Sequence, residues 1–427
     1  MTDAMSIIQD YFVIDSVNIL FLLILAVIFT GVTIYNSSFI KTLDLNNNDR
    51  IKYSIATVLF VLSMLGTILS NHLGLSWVFI EATTLASAYL IYFQKTKNSL
   101  EAAWKYVFIC SIGISLAFVG IILLLTGAEG INSLFYNDLY SHADMIDPFW
   151  LKLSFVFILT GFGTKIGLAP VHTWLPDAHS EAPSPISALL SAILLNSAFL
   201  VLLRYHKLMN LSGLSDFANT LLLVMGILSV FVTAVFVFNI NNYKRMLAYS
   251  SIENMGIAAI GLAIGGIGTY VAMFQLFGHS LIKAAFFLTA GNVLNLYGTK
   301  KISKISGIIK KDKLTGWLWV LCFVGISGLP PSPLFFSKFL LLKELFARDQ
   351  IIFAIVFLVL LVIILYGIGK VVIKMSFGEP PESDIEVKIH KTMYVPQLVF
   401  LIVAATVGIY IPDFFLNLLN NAVIGCR

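Results

Sequence analysis

The feature that most constrains this chain is its succession of long apolar runs, joined by short connections and bounded by charges or by Gly and Pro. They fall near 16–35, 53–72, 74–93, 105–126, 151–171, 184–205, 217–239, 246–265, 269–297, 315–346, 351–376 and 393–411. A bilayer's hydrocarbon core takes roughly 20 apolar residues per helical crossing. Twelve such runs predict an all-α polytopic membrane protein of about 12 transmembrane helices. Composition removes the alternative: the 427 residues are 58% hydrophobic and only 12% charged, against about 25% charged in soluble chains. A water-soluble fold of this length could not cover its surface. Cys110, Cys322 and Cys426 are too few and too scattered for a metal cluster or a disulfide framework.

Lys and Arg placement predicts the orientation. With the N-terminus outside, the inner connections hold Lys41, Arg50, Lys52, Lys95, Lys97, Lys244, Arg245, the lysines of 300–313, Lys388 and Lys391. The outer ones hold chiefly Arg204, Lys207 and Arg348, and the 127–150 connection is acidic, with Glu129, Asp138, Asp144 and Asp147. Both termini are therefore expected outside a cell (inner) membrane crossed many times. The N-terminal stretch, with Asp3, Asp10 and Asp15 and no Lys or Arg, lacks the basic start of a signal peptide. The basic KKISKISGIIKKDK, residues 300–313, reads as a topology determinant and a lipid-headgroup contact, not as a nucleic-acid site.

Two runs are interrupted by Gly and Pro at comparable places: GFGTKIGLAP (161–170) and SGLPPSPLFFSK (327–338). Each has a lysine beside the interruption, and each is the fourth helix of a five-helix run. Because five is odd, the second run enters the membrane from the opposite face. The expected organisation is a tail and first helix (1–52), one five-helix repeat (53–205), an inverted second repeat (217–376) and a C-terminal loop and helix (377–427). Paired broken helices in inverted repeats point to an ion pathway near the bilayer midplane; the plainer reading is that Gly and Pro are common in membrane helices.

A few charges stand inside apolar runs. An intramembrane charge costs on the order of 3 kcal/mol even on lenient insertion scales, so Glu81, Lys165, Lys283 and Lys338 require a reason. Glu81, in WVFIEATTLASAYL, reads either as a packing residue on a small-residue face or as the ion-pair partner of a lysine. Lys165 sits at a helix break, where freed carbonyls and water can solvate it. Burial and a nearby carboxylate pull a lysine's proton affinity in opposite directions, which makes such a pair a switchable proton site. Lys338 follows Pro330, Pro331 and Pro333 and invites the same argument. His279 and Lys283, at i and i+4, share a helix face and suit a proton relay, although a lone His more often serves packing. His72, at a polar corner, reads equally as interfacial. Glu253, placed near the inner end of its run, reads as a solvated cap or as a relay.

The block GFGTKIGLAPVHTWLPDAHSEAPSPISALLSAILLN (161–196) resembles the antiporter-like proton-pumping subunits of respiratory complex I, group 4 membrane-bound hydrogenases, formate hydrogenlyases and Mrp antiporters. KRMLAYSSIENMGI (244–257), HSLIKAAFFLTAGNVL (279–294) and ISGLPPSPLFFSKF (326–339) resemble that family's later motifs in order, and the whole is most similar to the hydrogenase-4 F-type subunit. The resemblance implies proton translocation through Glu81, Lys165, His279, Lys283 and Lys338, with Asn196, His72 and Glu253 as further relays. Asn196 stands where many complex I members carry a lysine, so the bridge is expected to run through Asn196, water and Ser197. The match begins at the family's third helix, and the chain ends at Arg427 without room for a long lateral helix.

No Walker loop, dinucleotide fingerprint, CxxC pair or haem-ligand spacing is found in the sequence, so no cofactor is expected on the chain itself. Any redox chemistry belongs to a neighbouring peripheral module of a hetero-oligomeric complex. The expected function is proton translocation, with sodium as an alternative coupled ion. The other readings are an Mrp-type cation/proton antiporter subunit and the membrane partner of an inorganic-carbon uptake system.

Overall fold

The computed structural model describes residues 10–43, 45–131, 133–381 and 388–426; Asp3 and Arg427, used in the sequence argument, lie outside them. Among the described residues the chain is built from helices, and the β geometry is limited to three isolated bridges. The helices are α1 (Ser16–Thr42), α2 (Asn47–Leu69), α3 (Leu73–Tyr92), α4 (Lys97–Gly127) and α5 (Pro148–Ile166). A short α6 (Leu175–Glu181) leads to α7 (Ser184–Leu211), α8 (Ser215–Phe236), α9 (Tyr243–Ile264) and α10 (Ile267–Tyr297). After them come α11 (Lys313–Ser327), α12 (Pro333–Ala347), α13 (Ile351–Ser376), α14 (Val395–Ile409) and α15 (Asp413–Gly425).

Local chemistry starts many of these helices. Asn46, Asp147, Asn242 and Asp312 each accept a backbone N–H of the first turn, and Pro148 occupies the first turn of α5, where its missing donor costs nothing. Thr96 and Ser99 form a reciprocal capping box on α4. Among the described residues, eleven helices are long and apolar enough to cross a membrane. The remaining expected crossing, 315–346, is not one helix: α11 ends at Ser327 and α12 begins at Pro333. The run expected over 151–171 likewise stops at Ile166. Both interruptions are closed by a glycine in the left-handed region, Gly167 (φ 80°) and Gly328 (φ 74°), which turns the chain out of the helix where a Cβ would be strained.

Three helices form the centre. The most apolar windows of α7 and α10 are 100% buried and that of α9 is 94% buried, against 33–61% for the other spans. A helix apolar on all sides must be enclosed by other helices or by lipid; these three are enclosed by protein. Small residues permit the close packing around them. A Cβ on Gly161 of α5 would stand 2.6 Å from the Gly113 carbonyl of α4, and one on Gly256 of α9 2.7 Å from the Gly226 carbonyl of α8. Helix α7 carries a π-helical turn, Leu190–Leu194, just before Asn196.

Helix α15 escaped the sequence reading because Asn417, Asn420 and Asn421 break its apolar pattern. It returns to the start of α1, where Ser16 Oγ donates to the Asn421 carbonyl at 3.0 Å, and its Phe415 ring lies 4.4 Å from Phe277 of α10. Arg204, near the end of α7, ties the same end together. Its guanidinium donates to the Ser70 carbonyl and to Asn18 Oδ1 (2.6 Å), and it lies 4.9 Å from the Tyr136 ring centroid.

Candidate functional site: a buried line of titratable residues

The break after α5 positions Lys165 in the last helical turn, fully buried. Its ammonium donates to the Tyr106 hydroxyl of α4 at 3.0 Å and sits 4.8 Å from that ring's centroid. The Tyr106 and Ser87 hydroxyls are 2.7 Å apart. Glu81, half-buried on α3, faces elsewhere: Ser111 donates to one carboxylate oxygen at 2.7 Å and Thr84 to the other at 3.1 Å. The expected Glu81–Lys165 contact is thus not made; two hydroxyls satisfy the acid and a phenol satisfies the base. Nor do break carbonyls solvate Lys165. The freed Thr164 carbonyl accepts from Gly167 N and from the Trp174 indole at 2.7 Å.

The second break differs. Lys338, in the second turn of α12, curls back so that its ammonium donates to the Ser327 carbonyl at 3.3 Å, the freed-carbonyl contact expected at Lys165. It also forms an ion pair with Glu253 at 2.8 Å, with side-chain exposures of 9% and 3%. Glu253 is therefore not a solvated cap near the inner end: it sits halfway along the 22 residues of α9, buried. Around it, Gln275 of α10 donates to Asn254 Oδ1 at 2.7 Å and accepts from the Ser337 hydroxyl.

Between the two breaks runs α10, with both His279 and Lys283 fully buried. Lys283 donates to the Leu247 carbonyl and the Ser250 hydroxyl of α9 and lies 5.7 Å from the Phe287 ring centroid. Neither ring nitrogen of His279 makes a side-chain hydrogen bond among the described residues; the backbone of Ser191 is the polar group beside it. Asn196 of α7 donates to Ser280 Oγ of α10 at 2.7 Å, and its side-chain Oδ1 has no partner among the described residues. Ser197, expected to extend this bridge, instead donates to Ile193 of its own helix at 3.0 Å. Ser280 holds the place expected for it.

His72 lies off this line. It is the N-cap of α3, its Nδ1 accepting from Leu75 N–H at 3.2 Å, and it packs against both Tyr11 and Phe135. The sequence reading missed Tyr106 and His179. His179, on α6, is fully buried, its Nε2 has no partner among the described residues, and its ring centroid stands 5.6 Å from that of Phe287. Its place inside the 161–196 block was the available signal. Lys244, counted above as a loop charge, is 1% exposed. Of the basic stretch, Lys300 pairs with Glu181 at 2.9 Å and Lys310 with Glu379. Among the described residues, no group of three or more His, Cys, Asp or Glu side chains is placed to hold a metal ion.

Residues 70–364 match the model of a family described as NADH:quinone oxidoreductase/Mrp antiporter, transmembrane. The chain is 34% identical to the hydrogenase-4 component F homolog of Methylacidiphilum infernorum over 418 residues, 94% of this chain and 86% of that protein. It is 28% identical to a Na(+)/H(+) antiporter subunit of Alkalihalophilus pseudofirmus, over 79% of this chain and 69% of that one. Its fold is similar to a chain of the membrane-bound sulfane sulfur reductase, an archaeal respiratory membrane complex. The TM-score is 0.87 at 25% identity, covering 96% of this chain and 82% of that one.

Proposed function

The chain belongs to the NADH:quinone oxidoreductase/Mrp antiporter transmembrane family, and from that membership we propose that it is the proton-translocating membrane subunit of a redox-driven, hetero-oligomeric complex of the hydrogenase or quinone-oxidoreductase type. The observation that carries the reading is the buried Glu253–Lys338 pair, with Lys283 and His279 of α10 and the Lys165–Tyr106 contact as further buried titratable groups within the spans. Isolated buried charges are costly, and paired or hydrogen-bonded ones across a membrane interior are the usual parts of a proton path. Partners are other membrane subunits and a peripheral redox module that supplies the energy.

In the proposed cycle Glu81, half-buried at the flank of α3, receives an electrostatic or conformational pulse from a neighbouring subunit. A change in its charge or position alters the affinity of Lys165 for its proton. The proton passes along His279 and Lys283, and its arrival near Glu253 loosens the grip of that carboxylate on Lys338. Orientation follows the basic residues: the Lys-rich face inside a cell membrane, both termini outside, and the 300–313 stretch at lipid headgroups. The two G-L-x-P breaks, GLAP (167–170) and GLPP (328–331), each on a left-handed glycine, support the inverted five-helix repeats over 53–205 and 217–376.

The test is proton translocation by the purified complex in proteoliposomes. Lys165→Ala and Glu253→Gln are each expected to abolish translocation while the complex still assembles; normal translocation in either overturns the assigned line. A second reading, cation/proton antiport, is supported by the similarity to the Na(+)/H(+) antiporter protein. It predicts that a sodium gradient alone drives proton movement through the complex without electron transfer.

A further inference from the structure

A buried lysine lies beside the line described above. Lys244, the second residue of α9, donates to one group among the described residues, the Ala182 carbonyl, at 2.6 Å. A buried ammonium normally has a carboxylate partner. The nearby carboxylate, Glu181, is held instead by Lys300, whose side chain is 19% exposed. Helix α6 thus ends in two acceptors, Glu181 and its C-cap Ala182, each taken by a different lysine. Its other acid, Asp177, is bound by Arg245 at 2.8 Å and Lys105 at 3.3 Å.

One turn back on α6 is His179. Its Nδ1 faces the Leu175 carbonyl at 3.0 Å, and its Nε2 is buried without a partner among the described residues. The Phe287 ring centroid lies 5.6 Å from its own and 5.7 Å from the Lys283 ammonium. The groups that bear on Lys244 are therefore Glu181, His179 and Asp177 of α6, Lys300 after α10, Lys283 and His279 on α10, and Arg245 on its own helix. On α8 the one charged residue is Asp216, at the far end.

We propose that Lys244 is the proton-carrying switch at the Lys-rich mouth of the line, alternating between the Ala182 carbonyl and the Glu181 carboxylate. The proposal rests on the proton-translocation reading above and adds where and through what the proton is admitted. In the arrangement seen, Lys300 occupies Glu181 and Lys244 is parked on Ala182. A hydronium at that face protonates the Glu181 carboxylate and dissolves its pair with Lys300. The neutral Lys244 amine then takes that proton, becoming ammonium and restoring the carboxylate. It gives one proton to Nε2 of His179 and returns as an amine to the Ala182 carbonyl. No electrons move, and one proton crosses from Glu181 to His179.

The test uses the intact complex in proteoliposomes, varying pH only in the compartment that faces Lys300. Lys244→Met is expected to lower translocation at least tenfold and to flatten its dependence on that pH. Lys244→Arg is expected not to rescue, because a guanidinium keeps its proton. Lys300→Gln frees Glu181 to capture Lys244 and is expected to slow translocation and displace the same pH profile. Wild-type rate and profile in Lys244→Met, or full rescue by Lys244→Arg, overturns the proposal in favour of a structural role. If Lys244→Met fails to assemble, Lys300→Gln decides, and an unchanged profile overturns the proposal. Failure of the broader reading looks different: the wild-type complex itself then moves no protons. Loss in Lys165→Ala with normal Lys244→Met sinks this inference alone.

Discussion

At the scale of single residues, the Glu253–Lys338 pair is the most consequential contact, because each partner makes the other tolerable. Removing one partner of a buried pair leaves an uncompensated charge at a cost of about 3–5 kcal/mol, whereas apolar replacement of both is often neutral. Glu253→Leu and Lys338→Leu are each expected to lower the thermal midpoint of the detergent-solubilised protein, and the double variant to recover most of the loss while remaining unable to translocate. A double-mutant cycle measures this. His72 gives a second expectation, one of pH. Burial lowers its imidazole below the ordinary value, and its cap on α3 needs an unprotonated Nδ1. Its contribution is therefore complete above the ordinary imidazole pKa and is lost as pH falls below it. His72→Asn, an acceptor at every pH, is expected to remove that dependence, worth about 1 kcal/mol, from unfolding curves taken between pH 5 and 8. The sequence made these positions visible as misplaced charges, but their partners were another matter. Nothing in WVFIEATTLASAYL says that Ser111 and Thr84, rather than Lys165, satisfy Glu81; that choice depends on how three helices rotate against one another. Glu253 looks terminal in the sequence because the apolar run starts only at Met246, whereas the helix begins at Tyr243.

At the scale of elements, the helices themselves were legible, since apolar length and the caps are local properties. What was not legible is how a break resolves. GLAP and GLPP announce an interruption, yet Trp174 secures the first and Lys338 the second, a difference set by what packs across the gap. Helix α15 was hidden because its asparagines mask an apolar face that exists only once α1 and α10 are in place. The glycine contact between α4 and α5 has an element-scale consequence. Gly161→Leu would press on Ala117 and on the Gly113 carbonyl and force the helices apart, at roughly 1–3 kcal/mol for an overpacked contact. Because Tyr106 rides on α4 and Lys165 on α5, translocation is expected to fall more steeply than stability, as comparison of proteoliposome rates with melting curves would reveal.

At the scale of the whole molecule, the three enclosed helices form a spine to which the two broken crossings are attached, and α1 and α15 close one end. Lys207 donates to the Gly425 carbonyl at 2.8 Å, so α15 is fastened to α7 as well as to α1. Deleting residues 412–427 is expected to lower the melting temperature by several degrees and yet leave translocation measurable, because no member of the polar line sits on α15; abolished translocation in a folded truncation would contradict this.

The unlike fastenings of the two breaks have one more consequence. The first joint is pinned by an indole, which is indifferent to the protonation of any neighbour, while the second is bolted by an ammonium whose carboxylate partner, in the proposed cycle, meets the arriving proton. In that cycle a change at the Glu253–Lys338 pair alters the hold of Lys338 on the Ser327 carbonyl, so the backbone at 328–332 is expected to loosen with each passing charge while that at 167–174 is not. Amide exchange across those two segments, followed during turnover, is expected to quicken at the second alone, making that half of the molecule the one that broadcasts the event to whatever stands beside it.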